Sequence, residues 1–132
     1  MKAAIALDPV LASFGSITGQ RLEGVRAEHC EGLLVQLVLD FGEQSIIAVA
    51  DADYDTLELG VGPRPRASEL VEVISKPPWP IYRAQPFAWG WLTINQQGYV
   101  DGALLGFGDD IYPKLVLNVM GSEIKVGTIN FG

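Results

Sequence analysis

Cysteine and histidine are almost missing from this sequence. Cys30 stands alone, so no disulfide can close within the chain, which fits a reducing compartment. His29 is the sole histidine. A zinc site takes three or four spaced ligands, and His29 with Cys30 cannot supply them. A haem on His29 is not expected either, and no cofactor is. Adjacent strand residues point to opposite faces, so His29 cannot serve Cys30 as an activating base. No Gly-x-Ser-x-Gly elbow is present, and Gly60-Val61-Gly62 runs into Pro63 without the lysine of a phosphate loop. The usual nucleophile–base and phosphate-loop chemistries are thereby excluded.

Basic residues are also scarce. Nine Lys and Arg face sixteen Asp and Glu, a net charge of −7. That field repels phosphates, so nucleic acid is not an expected partner, and a basic protein is the partner the charge would favour. Long hydrophobic runs are missing too. No apolar window reaches the ~18 residues a membrane helix needs. The amino-terminal run Ala3–Leu7 is cut by Asp8-Pro9, too short for a secretory segment. The expected location is the cytoplasm.

What remains is apolar and rich in strand formers. Hydrophobic residues make up 48% of the chain, enough for one core, so residues 1–132 are expected to form a single domain. A low-charge surface leaves apolar area to hide, and a strand edge or apolar face then offers a route to a homodimer.

The pattern is clearest from Ala88 onward. Ala88–Asn95 and Tyr99–Phe107 flank a three-residue loop ending in Gly98, as in a hairpin with a left-handed residue. Leu115–Met120 and Glu123–Ile129 meet at Gly121-Ser122, which predicts a type II′ turn. Upstream, Asp8-Pro9 and Gly15 bracket a short helix that would lay Val10, Leu11 and Phe14 on the sheet. Gln20–His29 predicts a strand with a bulge at Gly24, followed by a turn at Glu31-Gly32. Leu33, Val35, Leu37, Leu39 and Phe41 share one face, with Gln36 and Asp40 opposite. After a loop at residues 42–44, Ile46–Val49 is apolar on both faces, as in a doubly covered strand. Thr56–Val61 alternates again. Gly62–Arg66 predicts a loop, and Lys76–Pro80 an irregular extended segment on which Trp79 docks. Residues 67–75 fit a helix from Ser68 slightly better than a strand, although their β-branched content argues the other way. The expected fold is mainly β: an antiparallel meander of about eight strands with one or two short helices. A bent sheet, a half-barrel and a two-sheet sandwich all satisfy it. So does a single sheet crossed by a 67–75 helix.

Two polar groups invite a chemical reading. Asp51, Asp53 and Asp55 alternate like the first three ligands of a calcium loop. The likeness then breaks: the sixth position is Thr56 instead of glycine, and the twelfth is Gly62 instead of glutamate. A solvated turn is the simpler expectation. Asp101 stands beside Asn95 across the hairpin, with Asp109 and Asp110 beyond. An acid pair there would need a separation that sequence cannot supply. The aromatics are the stronger candidates. Trp89 and Trp91 fall on one face of a strand, with Tyr99 and Asp101 on the next and Trp79 and Tyr82 just before. They would either pack the core or rim a binding face for a protein or flat apolar ligand. A rival reading is a carrier or enzyme with a pocket inside the bent sheet, using Asn95, Tyr99 and Asp101 as polar contacts. A structural, self-associating subunit is a third.

The order Asp-x-Asp-x-Asp at 51–55, Trp-x-Trp at 89–91 and Asn95-Gln-Gln-Gly-Tyr-Val-Asp101 resembles small bacterial domains catalogued without assigned function. The resemblance implies a compact cytosolic domain and carries no catalytic residue with it. The leading expectation is a non-enzymatic acidic binding domain of the immunity or inhibitor type.

Overall fold

The structure is a computed structural model that describes residues 9–51, 53 and 55–130. Among them, nine strands form two antiparallel sheets. The first sheet contains β1 (Gly24–Cys30), β2 (Leu33–Phe41), β3 (Gln44–Asp51), β4 (Thr56–Pro63) and β5 (Val71–Glu72), in the order β4-β3-β2-β1-β5. The second contains β6 (Phe87–Ile94), β7 (Val100–Phe107), β8 (Leu115–Met120) and β9 (Glu123–Thr128), in sequence order. The expected meander is therefore two meanders, stacked with β2 against β9 and β4 against β7. Neither sheet closes into a barrel. No described helix is long and apolar enough to cross a membrane.

Tight turns set the registers. Glu31 and Gly32 both take positive φ (53° and 83°), and so do Gly121 and Ser122 (62° and 66°). Both loops are therefore of type I′, and the type II′ turn expected at Gly121-Ser122 is corrected. A single positive φ, the mark of a II′ turn, occurs instead at Gly42 (67°), between β2 and β3. Gly98 (88°) closes β6–β7 as the sequence implied.

Period-two burial then builds the interior. Leu37, Leu39 and Phe41 of β2 face Ile46 and Ala48 of β3 and the inner residues of the second sheet, Phe87, Leu105, Phe107, Leu115 and Leu117. Each Leu, Ile or Phe among them contributes about 1.5–3 kcal/mol by leaving water. Aromatic rings join the layers. Phe87 lies 5.7 Å from Phe41 and 5.9 Å from Phe107, and Tyr82 lies 5.2 Å from Phe107.

Several expectations need correction. Residues 67–75 form no helix: the β-branched Val71 pairs with Ala27, and Val73 N–H donates to the Val25 carbonyl at 2.7 Å, so β1 recruits the segment as an edge strand. The β1 bulge falls at Glu28/His29 instead of Gly24. β4 runs through Pro63, which an edge strand tolerates because one side needs no N–H donor. Trp79–Tyr82 is a 3-10 turn, where an irregular extended segment was expected. β3 is only partly covered on its second face, where Ile47 and Val49 are half-buried. Residues 9–13 are helical, and Phe14–Ser16 continues as a 3-10 turn, so the left-handed stop comes at Gly19 (φ 86°) instead of Gly15. The proposed Asp8 cap lies outside the described residues. Phe14 is buried against the sheet, whereas Leu11 remains 41% exposed.

On the outer side of the first sheet, Asp40 is fully buried, not solvated as its alternation implied. Arg26 donates to both carboxylate oxygens, at 2.8 and 2.9 Å, and Ser45 Oγ donates at 2.6 Å. This hydrogen bond to Asp40 raises the Arg26 pKa further, against the opposing effect of burial. Arg64 adds a longer contact of 3.6 Å.

Candidate functional site

The outer face of the second sheet is where the exposed aromatics collect. Residues alternate sides along β6, so Trp89, Trp91 and Thr93 point outward while Gly90 and Leu92 face the first sheet. Their neighbours on β7 are Gly106, Leu104 and Gly102. Gly102, Gly106 and Gly127 floor this face. A Cβ on Gly106 would meet the Tyr112 carbonyl at 3.0 Å and the Trp91 ring at 3.6 Å, and one on Gly127 would meet Val116 at 3.1 Å. At Gly102 it would collide with the Leu117 carbonyl. Without side chains at these positions the tryptophans and the 109–114 loop lie close over the backbone.

Trp89 is 52% exposed, and Trp91 is half-buried beside it. Ile111 and Tyr112 are 64% and 61% exposed in the loop that passes over Gly106. Sequence reasoning missed these two. The signal for them was an apolar pair set between Asp109-Asp110 and Pro113, where loop chemistry leaves little chance of burial. The same loop carries carboxylates at one end of the aromatic face. Asp110 is paired with Lys114 at 3.3 Å, and Asp109 is exposed.

The other candidates separate from this face. Trp79 and Tyr82 are buried, at 4% and 6% exposure, and belong to the core. The Tyr82 hydroxyl donates to the Lys114 carbonyl at 3.2 Å, and burial pushes its pKa up. Asn95 and Tyr99 stand at the tip of the β6–β7 hairpin. Asn95 Oδ1 accepts from the N–H groups of Gln97 and Tyr99, at 2.9 and 3.2 Å, which organises the loop. Asp101 accepts from the neighbouring Thr93 hydroxyl at 2.8 Å.

The aspartate run does not gather. Asp51 accepts from the Asp53 N–H at 3.0 Å, and Asp55 accepts from the Ser122 N–H at 3.0 Å, tying two hairpin turns of different sheets together. Among the described residues no three His, Cys, Asp or Glu side chains come together as a metal site. Cys30 and His29 are both exposed at the end of β1.

A family profile for a family of unknown function, DUF6334, matches residues 3–131. The chain belongs to that family. The likeness noted in the sequence is thus to a family without an assigned activity, and it spans the whole fold. No curated protein and no solved structure matches the chain. Membership in DUF6334 supplies no role for any side chain, so function has to be argued from the face just described.

Proposed function

We propose that this DUF6334 domain is a non-enzymatic protein-binding module of a bacterial cytoplasm, of the immunity or inhibitor type, with a basic protein as its partner. The observation that carries the reading is Trp89, an indole left 52% exposed beside Trp91 on a sheet face whose neighbours are mostly apolar or glycine. A folded domain of this size has room to bury such a ring, and an exposed tryptophan on an apolar face is the usual form of an interface anchor. Trp89, Trp91 and Tyr112 supply rigid contact area at low conformational cost. The net charge of −7, with Asp109 and Asp110 at the rim, would speed encounter with a cationic surface without itself setting the affinity.

The test is capture from the native host, comparing the unmodified domain with Trp89→Ala. The expected result is a basic protein recovered by the former, released by raised salt, and lost with Trp89→Ala. Equal recovery by both, or nothing above background, overturns the reading.

A further inference from the structure

We propose that β6 pairs along its free edge with β6 of a second copy, so that two four-stranded sheets continue as one eight-stranded sheet across a two-fold axis. β6 ends its sheet. On its outer side Phe87 is bonded to Gly19 and Gln20, each at 2.8 Å. Beyond Phe87, from Ala88 to Ile94, no backbone partner other than β7 is found among the described residues.

Sheet edges in stable monomers carry devices against pairing: charge, proline or extreme shortness. The other three edges of this molecule have them. β4 carries Glu58 and ends in Pro63, β5 is two residues long, and β9 carries Glu123 and Lys125. β6, Phe-Ala-Trp-Gly-Trp-Leu-Thr-Ile, has eight residues with no charge and no proline. Among the described residues, only this edge is left unguarded.

Beside it runs a groove of about 580 Å³, walled by Leu11, Phe14 and Thr18 on one side and by β6 on the other. Phe14 seats the short helix under the inner side of Gly90, where a Cβ would come within 2.6 Å of its ring. The groove residues include none with a charge. A chain of net charge −7 repels its own copy overall, but along this uncharged strand the two copies meet neutral to neutral. A charged partner strand would find no counter-charge there, whereas β6 matches itself. Antiparallel self-pairing is isologous and closes at two subunits. It also sets Trp89 and Trp91 of both copies side by side on one continuous outer face.

Light scattering on the full chain across the micromolar range tests this, together with deuterium exchange. Twice the chain mass of 14.3 kDa is expected, with amides 88–94 exchanging more slowly as concentration rises. Ile94 is 49% exposed, so Ile94→Lys should fold, place a charge on the edge, and weaken the dimer roughly tenfold or more. A monomer throughout, or a dimer indifferent to Ile94→Lys with no concentration effect on the 88–94 amides, overturns the proposal. So does a full chain that stays monomeric while one lacking residues 2–7 dimerises, which would assign the edge to the chain's own amino-terminal segment.

Discussion

Asp40 sits at zero solvent exposure, held by Arg26 on both oxygens and by Ser45. Removing one partner of such a group strands the other in a poor solvent. Asp40→Ala should therefore cost about 3–5 kcal/mol in denaturant unfolding, far more than the exposed Arg64–Glu23 contact is worth. Tyr82 makes a prediction about pH. Burial raises its pKa above the ordinary value of 10.0, so the folded state holds the phenolic proton more tightly than the unfolded chain. Its contribution is complete below pH 10 and is lost as pH climbs from there through the raised value. Tyr82→Phe should flatten the alkaline fall in stability, followed by circular dichroism, while costing about 0.5–1.5 kcal/mol at neutral pH for the bond to Lys114. Neither residue was legible in the sequence. Asp40 sits at a position that alternation assigns to solvent, and Arg26 from β1 with Ser45 from β3 makes its burial tolerable. Tyr82 follows a proline-rich segment whose packing depends on partners more than twenty residues away.

Elements whose ends are fixed locally were legible; elements fixed by a distant strand were not. The hairpins at Glu31-Gly32, Gly98 and Gly121-Ser122 follow from turn residues flanked by alternating apolar runs, although the type of the last turn was misjudged. Residues 67–75 stayed open between helix and strand because the two residues of β5 carry no period, and their pairing with β1 decides the conformation. The glycines offer the sharpest tests at this scale. Gly90 lets Phe14 lie against β6, so Gly90→Ala should cost about 1–3 kcal/mol by overpacking. The double variant Phe14→Leu, Gly90→Ala should lose less than the sum of its parts in a thermal-unfolding cycle. At the β1–β2 turn, Glu31 bears a left-handed φ of 53° that asparagine adopts more readily. Glu31→Asn should raise stability by roughly 0.5–1 kcal/mol, read as a higher midpoint at an unchanged denaturant slope.

For the whole molecule, the two sheets divide their labour by what they leave outside. The first keeps its outer side closed by the Arg26–Asp40–Ser45 network and by the fully buried Val38. The second leaves its outer side glycine-floored and aromatic, with Trp89, Ile111 and Tyr112 in water. A mainly β, antiparallel fold was foreseeable from the strand count, with a two-sheet sandwich as one of the forms it allowed. Which side of which sheet stays open was not, because core and rim tryptophans look alike in a sequence: Trp79 is buried, and Trp89 is exposed. On the proposed function, that open side is the one a partner covers. Deuterium exchange of the domain, free and with a captured partner, reads this directly. Added protection over residues 102–106 and 111–118 is the predicted result. Protection confined to β1–β4 of the first sheet, with those segments unchanged, would contradict it.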